Sequence, residues 1–140
     1  MSLVRKSFAE GLGTLLLVTA VVGSGIMAER LSGGNVGVAL LANAIATGAA
    51  LYVLITIMAP LSGAQFNPIV SLWLALNKEQ SFQTTLAYVF MQILGGILGA
   101  VLANVMFDLA PVQMAQTVRG GTGQWLAEVV ASFGDRRAHV

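Results

Sequence analysis

Cysteine is absent from this chain of 140 residues, and charged side chains make up only 9% of it. The lack of cysteine excludes disulfides and thiol chemistry, although it leaves the redox compartment open. Soluble domains carry about a quarter charged residues, whereas here hydrophobic residues reach 56% and the mean hydropathy is +0.82. The composition therefore indicates a protein of the lipid bilayer, and the length allows one domain.

Several classes of function lack the residues that they need. The formal net charge is only +1, so there is no electrostatic footprint for nucleic acid. The single histidine, His139, lies in a charged tail, and neither an acid pair nor a phosphate-binding loop is evident. We therefore expect a protein that is not an enzyme, with no catalytic residue, no metal site and no cofactor.

Long apolar runs dominate the remaining sequence. Residues 8–28, 36–58 and 83–107 are each long enough to cross a bilayer as a helix, and they predict three spans. Residues 124–134 form a fourth apolar run, which reaches only about 16 Å as a helix and is interpreted as a truncated span. The first run, with Arg5 before it, also fits a signal peptide, but its length and the presence of Glu10 favour a span.

A shorter segment, residues 62–76, lies between the second and third spans, and Pro60 is expected to end the helix before it. Asn67 followed by Pro68 is typical of a helix start, because Asn caps free N–H groups and Pro at the first position needs no donor. The apolar stretch that follows is about 15 Å long as a helix, half of a bilayer core. This pattern predicts a loop and a re-entrant half-helix; a cytoplasmic turn with an ordinary capped helix is the alternative.

Two polar side chains interrupt the predicted spans. Glu10 lies in the first and Gln92 in the third, and such residues usually face protein or a polar cavity. Gln92 is close to the small residues Gly95 and Gly99, which favour tight helix contact. We expect Gln92 to hydrogen-bond a loop backbone. The alternatives are a Glu10 that reaches water at the interface and a Gln92 that bonds its own helix or a headgroup.

A faint internal repeat relates the two ends of the chain. Phe8–Thr14 and Leu126–Ser132 share Ala-Glu, with a hydroxyl residue four positions after each Glu. Three spans between the copies would insert the second one from the opposite side, as in inverted-repeat transport folds. The chain is thus expected to stop within its second repeat, and residues 135–140 to be a native, frameshifted or artificial end.

The segment SGAQFNPIVSL resembles the first signature loop, close to SGAxxNPAVS, of the aquaporin and glycerol-facilitator family, the major intrinsic proteins. The similarity extends to Ala9-Glu10 and Thr14 in the first span, and to Tyr88, Gln92, Gly95, Gly96 and Gly99 in the third. The resemblance implies an all-α membrane protein. Its fold would be the first half of the inverted repeat, with three transmembrane helices, the re-entrant half-helix that carries the NP motif, and a truncated fourth helix.

The resemblance also implies roles for individual residues. Asn67 would donate its side-chain N–H groups into a pore, beside Pro68 and Ile69. Gly63, Ala64 and Gln65 would present backbone carbonyls along the same path. The resemblance assigns Glu10 and Gln92 to loop support rather than to contact with solute.

Three departures from the family pattern bear on selectivity and completeness. Ile69 stands where Ala is usual, and Gln65 where many members have His. Thr47 occupies a position that commonly holds an aromatic ring in water-selective members, so its small side chain suggests a wider filter. Such a filter would pass glycerol, urea or neutral metalloid acids. The second NP loop and the pore arginine of the family would lie beyond Val140.

The function implied is a passive channel for water or small uncharged solutes. The protein would be a multi-pass protein of the plasma membrane, namely the bacterial inner membrane. Its partners would be membrane lipid, these solutes, and further copies of the chain, either as a homo-oligomer or as a second half-channel paired antiparallel. No nucleic acid partner is expected. The alternative is a fragment that modulates other channels and has no channel activity of its own.

Overall fold

The computed structural model describes residues 1–112, and the predicted fourth helix at 124–134 and the second repeat copy lie outside them. Within the described part the chain forms four helices and no strands. They are α1 (Leu3–Leu31), α2 (Val36–Ser62), α3 (Pro68–Leu76) and α4 (Phe82–Met106).

Three of these helices, α1, α2 and α4, are long and apolar enough to cross a membrane. They contain 29, 27 and 25 residues, against the roughly 20 that a bilayer core requires. α3 has only 9 residues and reaches about 14 Å. The all-α membrane fold expected from the sequence is confirmed.

The end of α2 differs from the expectation, because the helix continues through Pro60 to Ser62. A proline in the last turn removes one helical N–H donor, and so little of the helix follows it that the loss is small. Gly63 ends the helix instead. It adopts a left-handed conformation with φ +94° and donates its N–H to the Ala59 carbonyl at 3.0 Å, a typical glycine C-cap.

Helix α1 is central, since it packs against both α2 and α4, while α3 packs against α4. The crossing of α1 and α4 is close at two glycines. A Cβ on Gly95 would overlap the Gly11 carbonyl oxygen, and one on Gly99 would overlap the Leu15 carbonyl oxygen. Thr19 Oγ1 also lies 3.1 Å from the Gly99 carbonyl, to which it donates. The small-residue face predicted on the third span is therefore the contact with α1.

Arg30 joins the C-terminal ends of α1 and α4. Its Nη2 donates to the Phe107 carbonyl at 2.9 Å, and its guanidinium lies 5.4 Å from the centroid of the Phe107 ring. A cation at the carbonyl end of a helix is favoured by the helix dipole, and the ring contact adds a cation–π attraction. The two helices are thus held at this end as well as at the glycine crossing.

Candidate functional site

The loop between α2 and α3 has an unusual backbone. Gly63, Ala64 and Phe66 have positive φ values of +94°, +49° and +49°. A left-handed conformation costs a residue with a Cβ about 1–2 kcal/mol, so Ala64 and Phe66 need support from their surroundings. We call residues 63–66 the NP loop hereafter, because it leads into Asn67 and Pro68.

The Glu10 carboxylate supplies that support. Its Oε1 accepts bonds from Ser62 Oγ at 2.7 Å and from the Gln65 main-chain N–H at 3.0 Å. Its Oε2 accepts from the Phe66 main-chain N–H at 2.7 Å and from Gln92 Nε2 at 3.0 Å. All four bonds run toward the carboxylate, which suits a group that in its ionised form is only an acceptor.

Glu10 is completely buried. This burial rules out the alternative in which its carboxylate lies at the interface and reaches water. A buried carboxylate is tolerated when it is fully hydrogen-bonded, and two of its four donors belong to consecutive main-chain groups of the NP loop. Glu10 therefore contacts the loop backbone directly.

Gln92 is buried too, but its contacts differ from the expectation. Its Nε2 donates to Glu10 Oε2 and to Ser71 Oγ, each at 3.0 Å. Among the described residues its side chain makes no bond to the backbone of the NP loop. The reason is geometric, since Glu10 already occupies the loop N–H groups, and Gln92 joins Glu10 to the half-helix α3.

Asn67 forms the N-cap of α3, as the sequence predicted, with Pro68 as the first helical residue. Its Oδ1 accepts the Ile69 N–H at 2.8 Å. Within residues 1–112, its Nδ2 group donates no hydrogen bond. Ile69 is 54% exposed, so residues 1–112 leave this side of the α3 start uncovered.

The side chain of Gln65 is buried and paired at both ends. Its Oε1 accepts from Ser71 Oγ at 2.6 Å, and its Nε2 donates to Gln80 Oε1 at 2.7 Å. Gln80 in turn donates to Thr85 Oγ1 at 3.0 Å. The polar contacts thus continue from Glu10 through α3 to the turn before α4.

Aromatic residues complete the packing around the loop. The Tyr88 hydroxyl donates to the Ser62 carbonyl at 2.8 Å and fixes the end of α2. The Phe66 ring lies so close to Gly13 that a Cβ there would overlap the ring. Gly13 is therefore required by contact with the loop.

The structure does not bring together every residue singled out in the sequence. Thr47 lies within α2, partly buried, and no hydrogen bond among residues 1–112 joins it to the NP loop. Sequence reasoning missed Ser71, Gln80 and Thr85 as members of the polar network. Ser71 carried a usable signal, as a hydroxyl inside an otherwise apolar half-helix, whereas Gln80 sits in a polar turn where glutamine is ordinary.

Three spanning helices and a polar, carboxylate-held loop before a half-helix define a multi-pass membrane protein of the re-entrant-loop type. A profile described as Major intrinsic protein matches residues 1–134. The chain belongs to this family.

Named relatives agree with that assignment. The chain is similar to an aquaglyceroporin, AqpS of Rhizobium meliloti (strain 1021), with 55% identity over 132 residues, covering 94% of this chain and 56% of that protein. It is 34% identical to the probable aquaporin TIP2-2 of Oryza sativa subsp. japonica, with coverage of 90% and 52%. The probable aquaporin PIP2-8 of Arabidopsis thaliana is also 34% identical, with coverage of 94% and 50%.

The chain therefore spans about half the length of the curated relatives it matches. Three helices able to span a membrane, together with the family, make it a multi-pass membrane protein. The bacterial source of the relative that is 55% identical supports the bacterial inner membrane as its location.

Proposed function

We propose that this chain contributes half of a passive channel for water or small uncharged solutes. The carboxamide of Asn67 and the carbonyls of Gly63, Ala64 and Gln65 would form the polar side of the path. Pro68 and Ile69 would form its apolar side. Membrane lipid would surround the helices, and water or a small neutral solute would be the transported partner.

The observation that carries this proposal is that the oxygen and the nitrogen of the Asn67 carboxamide have separate roles. Its oxygen accepts the Ile69 N–H and caps the half-helix, which leaves its two amide hydrogens available to a passing molecule. The N-terminal end of α3 bears partial positive charge. It therefore disfavours the approach of cations, whereas neutral molecules that donate and accept hydrogen bonds can pass. Water fits this arrangement, and so does a solute that carries hydroxyl groups.

A pore needs a wall opposite Asn67, and residues 1–112 leave the neighbouring Ile69 more than half exposed. We infer that a second half, from further sequence or from a second copy of the chain inserted in the opposite sense, closes the path. A fragment that only associates with other channels is the competing function. Transport by the purified chain separates these possibilities.

The first test is osmotic swelling of liposomes that contain the 140-residue chain, with water and glycerol gradients. Asn67→Asp keeps the capping oxygen, removes the amide donors and places a charge in the path, so we expect transport to fall by at least about tenfold, equivalent to about 1.4 kcal/mol on the barrier. Asn35→Asp is the matched control, because Asn35 also caps a helix through its Oδ1 but is exposed. Equal transport in both variants and the wild type would contradict a pore at Asn67.

Selectivity provides a second test, centred on Thr47. We propose that its small side chain leaves a filter wide enough for glycerol, urea or metalloid acids. Thr47→Phe is then expected to lower glycerol transport more than water transport. The larger phenyl ring would narrow the path, and glycerol is a larger molecule than water. Thr56→Phe, at an exposed threonine of the same helix, is the control. An unchanged ratio of glycerol to water transport in Thr47→Phe would remove Thr47 from the filter.

A further inference from the structure

We propose that Gln80, in the turn between α3 and α4, is a positioning residue for the NP loop and acts through the side chain of Gln65. The inference rests on the proposed function in one respect, namely that the NP loop lines the solute path. It assigns to a turn residue outside the loop a part in fixing the loop backbone and hence in discriminating solutes.

Gln65 is the residue through which the turn reaches the loop. Its main-chain N–H is held by Glu10, and its side chain is held separately by Ser71 and Gln80. The two side-chain bonds, at 2.6 and 2.7 Å, are both short, and the residue is 9% exposed. Loss of either partner leaves a buried amide group unpaired, which costs more than the bond itself contributed.

Gln80 is itself held in place. It accepts from Gln65 with Oε1 and donates with Nε2 to Thr85 Oγ1 at 3.0 Å. Thr85 is completely buried in the first turn of α4, where its hydroxyl donates to the Ser81 carbonyl at 3.1 Å. Each amide of the pair thus has one donor and one acceptor bond, in a consistent direction from the loop to α4.

The position of this pair along the chain explains its effect. Gln65 precedes the half-helix α3 and Gln80 follows it, so their hydrogen bond links both ends of α3. Gln65 also stands between Ala64 and Phe66, the two non-glycine residues of the loop with positive φ. Such conformations persist only where neighbouring contacts determine them, and the bond from Gln80 is one of these contacts.

The test measures hydrogen exchange at the main-chain amides of Gln65 and Phe66 in the full 140-residue chain, reconstituted in lipid nanodiscs. Gln80→Leu removes the acceptor for Gln65 at similar volume. Gln80→Glu keeps an acceptor oxygen for Gln65, and the Thr85 hydroxyl can rotate to donate to the other carboxylate oxygen, so this variant serves as the conservative rescue. Gln83→Leu is the matched control, since Gln83 is exposed at the start of α4.

We expect exchange at Gln65 and Phe66 to accelerate at least about fivefold in Gln80→Leu, because the buried amide of Gln65 is left unpaired. It should stay near the wild-type rate in Gln80→Glu and Gln83→Leu. A wild-type rate in Gln80→Leu, or an equal acceleration in either of the other variants, overturns the proposal. If amides at the α1 and α4 crossing also accelerate in Gln80→Leu, the shorter polar variant Gln80→Ser replaces it and is judged by the same criteria.

Liposome swelling then tests the functional half of the proposal separately. The ratio of glycerol to water transport should change in Gln80→Leu and return to the wild-type value in Gln80→Glu. An unchanged ratio in a transporting Gln80→Leu chain overturns the role in discrimination. Absence of transport by the wild type contradicts the proposed function instead, and the exchange rates alone then decide whether Gln80 positions the loop.

Discussion

The two sides of α1 are built differently. On the side toward α4 and the NP loop, its backbone contacts the glycines of α4 closely. The buried Glu10 carboxylate on this side accepts four hydrogen bonds. Toward α2, apart from the bond that Ser62 Oγ donates to Glu10 beside the NP loop, the side-chain hydrogen bond within the described residues is the one from Ser24 Oγ to Asn43 Oδ1, at 2.8 Å. Only Leu54 and Met58 of α2 are buried.

This difference reflects how helices associate in lipid. Apolar side chains gain little by leaving lipid for protein, so close backbone packing and hydrogen bonds distinguish one helix contact from another. The side of α1 toward α4 uses both, and it holds the candidate site. The outer side of α2 carries exposed apolar residues such as Leu40, Ile45 and Val53, which suit contact with lipid or further protein.

The largest expected effect comes from removing Glu10. Glu10→Ala leaves the N–H groups of Gln65 and Phe66 without their acceptor, and we expect the free energy of unfolding to fall by about 3 kcal/mol or more. Unfolding is followed by circular dichroism during titration with SDS. Glu29→Ala, an exposed carboxylate on the same helix, is the control and should change little. An equal decrease in the free energy of unfolding in the two variants would mean that the NP loop does not depend on Glu10 for its stability.

A smaller effect is expected at the helix crossing. Gly95→Ala places a methyl group against the Gly11 carbonyl, and overpacking of this kind costs about 1–3 kcal/mol. Gly48→Ala is the matched control, since nothing lies within 4 Å of the added Cβ and alanine is the better helix former. The same SDS titration compares them. Destabilisation by Gly48→Ala equal to that by Gly95→Ala would show that α2 is packed as closely as α4.

The smallest effect is expected on the other side of α1. Ser24→Ala removes the hydrogen bond to Asn43, and such bonds between membrane helices contribute about 0.6 kcal/mol on average. A double-mutant cycle with Asn43→Ala isolates the coupling between the two side chains. A coupling above about 2 kcal/mol would exceed the usual range for membrane helices and remove the contrast between the two sides of α1.

Much of the fold was predictable because the relevant signals are local. The lengths of the apolar runs predicted α1, α2 and α4, and the Asn67-Pro68 pair predicted where α3 begins. The end of α2 was predicted at Pro60, yet it lies at Ser62, because Gly63 can take the left-handed conformation and a proline in the last turn is tolerated. The position of Thr47 relative to the loop was not predictable from spacing, since α2 and the loop are related only through packing.

The sequence by itself determined that this is a membrane protein of three spans with a half-helix, since composition, run length and capping residues act over short distances. It also marked Glu10 and Gln92 as residues that need polar partners in an apolar setting. Only the tertiary structure decided which partners they have, and that the side chain of Gln65 is joined to Gln80. Those pairings depend on how α1, α3 and α4 cross, because the bonds join residues that are far apart along the chain.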